Sequence, residues 1–211
     1  MGEAGGMRVV RLAWGGWDIY AYIGGMKDTD EICGSTVPMS MTTLSVRPVG
    51  RDDARELIRA NLENQAYHAP WARPFTSQDG FESWFARLVT GPDVGLVAWH
   101  GAADPVGVFT LSQIVMGAFC SAYLGYYGMK AHARTGRMTR ATGLVLDYGF
   151  DQLGLHRVEA NIQPSNAASI ALIRRAGFRR EGYSPRYLKI DGEWRDHERW
   201  AFLAEDRPGR K

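Results

Sequence analysis

At 211 residues, with 45% hydrophobic and 23% charged side chains, the chain has the length for one domain and the composition of an ordinary soluble globular protein. Its net charge of +2 gives no bulk electrostatic reason to expect direct binding to nucleic acid or to a membrane surface, and no run of about 18 apolar residues offers a spanning helix. Two cysteines, Cys33 and Cys120, lie in neither a CxxC nor a His/Cys ligand spacing, so neither a disulfide framework nor a metal site is expected, and a reducing, cytoplasmic setting is.

Residues 1–40 stand apart from the rest. They are rich in Gly and Met and show no sustained period. Their apolar part, broken by Asp18 and paired glycines, lacks the basic-then-apolar order of a signal peptide. They are expected to form a poorly structured N-terminal extension, or to lie upstream of a true start at Met41; the alternative is a segment that folds onto the domain. Residues 41–211 are expected to be one domain.

From Leu44 the pattern is regular. LSVRPV (44–49) reads as a strand and RDDARELIRANLENQ (51–65) as a helix started by Asp52 or Asp53. After the Pro/Trp-rich connection HAPWARPFT (68–76), Ser77 caps a second helix, QDGFESWFARLVT (78–90), with Phe81, Trp84, Phe85 and Leu88 on one face. Three strands follow: VGLVAWH (94–100), PVGVFTLSQIV (105–115) and SAYLGYYG (121–128), the first two joined by the turn GAADP. A helix from Gly136 to Gln152 precedes the strand HRVEANI (156–162). The next helix starts at Asn166 and stops at Gly177, a residue type that ends helices in the left-handed conformation. Strands YSPRYLKI (183–190) and WRDHERWAFL (194–203) meet at the turn Asp191-Gly192. The order β-α-α-β-β-β-α-β-α-β-β predicts a mixed α/β single domain, neither repeat nor barrel.

The informative junction is the passage from YYG through MKAH into ARTGRM. A short loop before a helix leaves backbone N–H groups unpaired at the positive end of the helix dipole, which suits a pyrophosphate, and Arg134 and Arg137 add full positive charge. Any strand-to-helix turn has such amides, so the junction by itself leaves plain turn chemistry open.

Its surroundings are more specific. Residues Ala133, Arg134, Thr135, Gly136, Arg137 and Met138 resemble the Q/R-x-x-G-x-G/A pyrophosphate loop of GNAT acetyltransferases, with Ala133 and Met138 departing from its first and last positions. HRVEANIQPSNAASIALIRRAGFRREGY and YLKIDGEWRDHERWAF are similar to the RimJ/RimL subgroup, which acetylates N-terminal amines of ribosomal proteins. The resemblance spans residues 44–203. It implies a single acyl-CoA N-acyltransferase domain whose mixed, mostly antiparallel sheet splays at a V-shaped cleft between SAYLGYYG and HRVEANI. Acetyl-CoA is the implied co-substrate, without a metal. Its pantetheine arm would pair with the backbone of Tyr126, Tyr127 and Gly128, and its pyrophosphate with the amides of Arg134, Thr135, Gly136, Arg137 and Met138. A backbone N–H near Tyr126 would hold the thioester oxygen as it becomes negative. Tyr187 and Trp194 would border the acceptor.

Individual residues keep two readings. Asn166 is a favoured N-cap type, and the resemblance also has it touching the pantetheine arm. Ser169, in the first helical turn, is ordinary surface filler or a weak cap, and the resemblance implies that it donates a proton to the departing CoA thiolate; with thiol pKa near ~8.5 that help is modest. Glu159 is a salt-bridged glutamate or a base for the attacking amine. His156 and His197 are expected to be structural, and Trp71 and Trp84 to be core or cleft-lining aromatics. The implied reaction is direct transfer in a ternary complex, by a monomer or homodimer, to a protein N-terminus such as that of a ribosomal protein, or to a small amine. An acyl-CoA-binding module without catalysis is the rival from another class.

Overall fold

The computed structural model describes residues 8–14, 17–23, 43–69 and 71–207. The chain divides into two compact units, Met1–Pro38 and Met39–Lys211. In the first, strands β1 (Arg8–Trp14) and β2 (Trp17–Ile23), rich in β-branched and aromatic residues, pair antiparallel. The rest of the expected extension, with Cys33, lies outside the described residues.

The second unit is built on a seven-stranded sheet. Its strands are β3 (Leu44–Pro48), β4 (Val94–His100), β5 (Asp104–Val115), β6 (Ser121–Gly128), β7 (Arg157–Ile162), β8 (Arg179–Ile190) and β9 (Glu193–Leu203). They lie in the order β3-β4-β5-β6-β7-β9-β8. Every neighbouring pair is antiparallel except β6 and β7. Among the described residues five α-helices accompany it: α1 (Ala54–Glu63), α2 (Gln65–His68), α3 (Gln78–Thr90), α4 (Arg137–Asp151) and α5 (Ala167–Arg175). This is the mixed α/β order expected from the sequence.

Both faces of the sheet are covered, which explains the continuous apolar run of β4. Leu96 and Ala98 join the core that includes Val145, Phe150 and Ile173 of α4 and α5. Val97 and Trp99, one residue out of phase, join the smaller core with Leu57 of α1 and Phe81 of α3. Ser77 caps α3 as its residue type predicts, its Oγ accepting the Gly80 N–H at 3.2 Å. At the β8–β9 turn Asp191 and Gly192 both have positive φ, 50° and 84°, as a two-residue hairpin turn requires. Strand β8 begins at Arg179, earlier than its expected start at Tyr183, because it already pairs with Ala201 and Trp200 of β9 there.

The helix expected over 51–65 differs in two ways. A single 3-10 turn, Arg51–Asp53, precedes α1, and Asp53 lies inside the helical run rather than ahead of it. Its carboxylate folds back to accept the Gly50 N–H at 2.8 Å and both terminal nitrogens of Arg47 at 2.8 and 2.6 Å. The helix then breaks at Asn64, whose side-chain Nδ2 donates to the Ala60 carbonyl that also accepts the Asn64 N–H.

The Arg47–Asp53 pair ties β3 to α1. Burial would push the Asp53 carboxyl up, but the hydrogen bonds from Arg47 and Gly50, with the Arg47 charge, outweigh it and hold the group below the usual carboxylate value. A depressed native pKa means the stabilisation is present above the unfolded value, near ~3.9, and is lost as pH falls through the native value. Asp53→Ala is expected to cost about 1.5 kcal/mol, the low end for a charge-assisted bond because Arg47 is half exposed. Thermal unfolding at neutral pH should record a Tm lower by roughly 3–6 °C, with the deficit shrinking below pH ~4.

Candidate active site

Strands β6 and β7 pair through only three register positions: Ser121 with Arg157, Ala122 with Val158, and Tyr123 with Glu159. Beyond these, β6 stays with β5 as far as Gly128 and β7 stays with β9 as far as Ile162. The sheet therefore opens between them, and residues 124–128 present a free strand edge. On the closed side, the Met129 N–H donates to Val106 O at 2.9 Å. Strand alternation then turns the Tyr127 backbone the same way, toward β5, and turns the N–H and C=O of Tyr126 and Gly128 to the open edge. His68 Nε2 lies 2.9 Å from Gly128 O on that edge. Unpaired amides of an extended strand are the partners that an amide-containing chain such as pantetheine takes in β-augmentation.

Side chains at the splay project to opposite faces. Tyr126 packs with the core under α4 and α5, and its hydroxyl is hydrogen-bonded to Ser169 Oγ. Asn166 caps α5, accepting the Ser169 N–H at 3.0 Å, which holds the serine in the first turn. Tyr127 goes the other way, toward Phe75 and α1, where Asn61 Nδ2 donates to its hydroxyl at 3.3 Å and to Phe75 O at 2.9 Å. Burial raises the pKa of both phenols well above the ordinary tyrosine value and so favours the neutral phenol in each. Tyr127 also lines a cavity of about 340 Å³ with Ala72, Phe75, Trp84 and Arg87.

At the closed end of the V, Glu159 is half-buried. Its Oε1 accepts from Arg157 Nε at 2.8 Å, and the same guanidinium grips Glu181. Tyr123, the register partner of Glu159, has its pKa pushed up to about 12, first by its hydrogen bond with Tyr187, then by burial and nearby Glu159. Tyr187 stands edge-on to the buried His197, with ring centres 5.8 Å apart. His197 Nδ1 meets Arg195 O at 3.0 Å and His156 pairs with Glu205, both structural arrangements. Trp194 is exposed near the hairpin tip, and Trp71 is exposed too, which leaves the cleft-lining reading of it rather than the core one. Trp84 does pack in the core under α3.

The loop before α4 is shaped for an anion. Arg134 and Gly136 both take left-handed φ values, 62° and 79°, and Thr135 Oγ donates to His132 O at 2.8 Å. Such a turn gathers amide N–H groups into a concavity. No side chain caps α4, and its first internal bond is Arg140 N to Gly136 O. A Cβ built on Gly136 would meet nothing within 4 Å, so the space above the loop is open.

Met138, which departs from the small residue of the loop pattern, turns away from the loop and down onto Gly107 and Gly128. A Cβ on Gly107 would come within 2.6 Å of Met138 Sδ, and one on Gly128 within 3.0 Å. The extra volume is absorbed beneath the loop by two missing side chains, and the residues present fit a pyrophosphate. Arg137 is steadied from below: its Nη2 lies 3.3 Å from His100 Nε2, while Asp104 bridges His100 and His132. Among the described residues no group of three or more His, Cys, Asp or Glu side chains is placed to hold a metal.

Several of these residues were not singled out by the sequence. Asn61, Asn64 and His68 form a polar stripe at spacings of three and four on the face of α1 and α2 that meets β6, and Lys130 N–H is held by Asn64 Oδ1 at 2.8 Å. That spacing was visible; its target was not. Tyr123 and the His100–Asp104–His132 group carried no sequence signal, since they meet only across the sheet.

A parallel pair that opens into a strand edge, followed by an uncapped helix behind an anion-shaped turn, defines an acyl-CoA N-acyltransferase fold. Comparison with known proteins agrees. Residues 43–179 match the acetyltransferase (GNAT) domain. The chain is 36% identical over 190 residues to the ribosomal protein uS5 alanine N-acetyltransferase of Escherichia coli, covering 83% of this chain and 97% of that one. It is 34% identical over 173 residues to the probable N-acetyltransferase YjcK of Bacillus subtilis, covering 78% and 96%. Among solved structures it is similar to Mycobacterium smegmatis RimJ in complex with CoA-disulfide, with a TM-score of 0.72, 31% identity, and coverage of 81% and 86%. The chain belongs to the GNAT acetyltransferase family, in its RimJ-like branch. It is an N-acetyltransferase that takes its acetyl group from acetyl-CoA.

Gly136→Ala tests the loop. With open space around the Cβ, its cost is the left-handed backbone alone, about 1–2 kcal/mol. Calorimetry should show a Tm a few degrees lower and clearly weakened acetyl-CoA binding, because the same strain turns the amides away from the phosphates.

Proposed function

We propose that the acceptor is the α-amine at the N-terminus of a protein, a ribosomal protein in the first instance, acetylated in the cytoplasm by direct transfer within a ternary complex. The supporting observation is the neutralised carboxylate face beside the splay. Arg157 binds both Glu159 and Glu181, and Arg180 pairs with Glu198. A polyamine needs uncompensated anions to replace the water around its ammonium groups, and these three carboxylates are already matched. A peptide N-terminus needs only one partner for one amine. The E. coli relative is named for that class of acceptor.

In this reading acetyl-CoA lies along the open edge, with Tyr126 and Gly128 amides toward the pantetheine and thioester, Asn166 beside the arm, and residues 134–138 on the pyrophosphate. Tyr187 and Trp194 border the acceptor. Glu159 receives the amine proton, directly or through water, and Ser169 gives a proton to the leaving thiolate. An α-amine with pKa near ~7.7–8.0 is roughly a tenth neutral at pH 7, whereas lysine near ~10.4 is almost wholly charged. One modest base therefore suffices for the first and not for the second.

The test is CoA release with peptides varied at their first two residues, alongside spermidine, lysine and aminoglycosides, and with mass spectrometry locating the acetyl group. The expected result is acetylation at the α-nitrogen, with a rate that rises with pH and levels off near pH 8. A rate still climbing at pH 10, or release with small amines alone, overturns the acceptor assignment; tight CoA binding with no release from any amine overturns catalysis. Glu159→Gln should lower the rate at pH 7 and recover part of it at pH 9, where the amine is already neutral.

We further propose that residues 41–211 are the catalytic domain and 1–40 an extension. A chain lacking residues 1–40 is expected to keep its Tm and its acetyl-CoA affinity; loss of either assigns those residues to the core.

A further inference from the structure

We infer that the side chain of Tyr126 is a positioning residue for the reaction, its hydroxyl donating to Ser169 Oγ so that the serine hydrogen faces the departing sulfur. This rests on the assignment of Ser169 as proton donor, and goes beyond the use of Tyr126 for its backbone.

The geometry leaves the phenol little choice. Its ring lies in an apolar wall, tilted against Phe109 at 6.1 Å between ring centres, and the hydroxyl is the polar end of an otherwise hydrophobic side chain. Both contacts of that hydroxyl are to Ser169: the side-chain Oγ at hydrogen-bond distance, and the carbonyl O at a marginal 3.5 Å. Burial disfavours the phenolate and keeps the proton on Tyr126. Ser169 is restrained from the other direction by Asn166, which takes its backbone N–H.

A serine hydroxyl has one hydrogen and two lone pairs. If Ser169 donated to the phenol, its hydrogen would point into the wall, and the phenol hydrogen would be left with the poor contact to the carbonyl. If the phenol donates to Oγ, the better bond is made and the serine hydrogen is free to turn into the cleft. A donor on the serine oxygen also stabilises negative charge there, which makes Ser169 a better acid. The proton count closes. The amine nitrogen bonds to the thioester carbon, the C–S bond breaks, and its electron pair leaves on sulfur. Sulfur takes the Ser169 proton to become the CoA thiol. The serine oxygen, held by the Tyr126 hydrogen bond, regains a proton from the one the amine gave up, delivered by water. Tyr126 keeps its own proton throughout.

Tyr126→Phe retains the ring, the packing and the backbone N–H at the open edge, and removes only the hydroxyl. It is expected to lower kcat about tenfold with the KM for acetyl-CoA unchanged. Ser169→Ala should lower kcat at least as much, and the double variant should be no slower than Ser169→Ala, because the phenol acts only through the serine. A 3-fluorotyrosine at position 126 keeps the size of the side chain but makes the phenol more acidic. It should restore the rate lost in the phenylalanine variant with the KM for acetyl-CoA unchanged, and lose that rate again when Ser169→Ala is added, a dependence packing alone does not produce. Wild-type kcat in Tyr126→Phe beside a slow Ser169→Ala, or losses that multiply in the double variant, overturns the positioning assignment while leaving Ser169 in place. Wild-type kcat in Ser169→Ala overturns the serine assignment and this inference with it. If Tyr126→Phe melts far below the wild type, the fluorotyrosine protein decides: a folded fluorotyrosine protein slower than the wild type counts against the inference, because its phenol is the stronger donor.

Discussion

Three register pairs hold β6 to β7, and then each strand follows a different neighbour. Almost everything chemical in this domain depends on that divergence. A fully paired parallel sheet would satisfy its own amides and offer nothing to a ligand. Opening after Tyr123 and Glu159 leaves the backbone of Tyr126 and the N–H of Gly128 without a strand partner at a place where both faces of the sheet are packed, so the amides are held rigidly. Strand alternation adds direction: Tyr126 sends its side chain to α5 and Ser169, while Tyr127 sends its own to α1 and Asn61. One short stretch of strand thus meets the hydroxyl of Ser169 on one face and a cavity on the other.

The splay is braced at both ends. At the closed end Arg157 grips Glu159 and Glu181, linking β7 to β8 with charge-assisted bonds. At the open end the polar stripe of α1 and α2 reaches across: Asn61 to Tyr127, His68 to Gly128 O, and Asn64 to the Lys130 amide. Asn64 uses both ends of its amide there: Nδ2 donates to Ala60 O and Oδ1 accepts the Lys130 N–H.

The anion-shaped loop shows how a motif tolerates an irregular residue. Met138 is large where the pattern wants a small side chain, yet Gly107 and Gly128 leave room beneath it. The three positions form one packing unit, and none of the three is informative without the others. Arg137 shows the same dependence on distant partners, since its support comes through His100 and Asp104 from the β4–β5 hairpin.

Local physics wrote much of this into the chain. Period-two and helical patterns, Ser77 ahead of α3, Asn166 ahead of α5 and the Asp191-Gly192 turn act over a few residues, so the fold class and the order of elements from β3 onward, apart from the helix break at Asn64, could be read from the sequence alone. So could the loop before α4 and the two long blocks that mark the family. What only the tertiary structure decided is where side chains meet after crossing the sheet. Tyr126 with Ser169, Tyr123 with Glu159 and Tyr187, Met138 over Gly107, and Asp104 between two histidines are contacts between residues far apart in the chain. Propensity and spacing carry no information about such pairs, because they are set by strand order and register, and those are fixed by burial of the whole core rather than by any local segment.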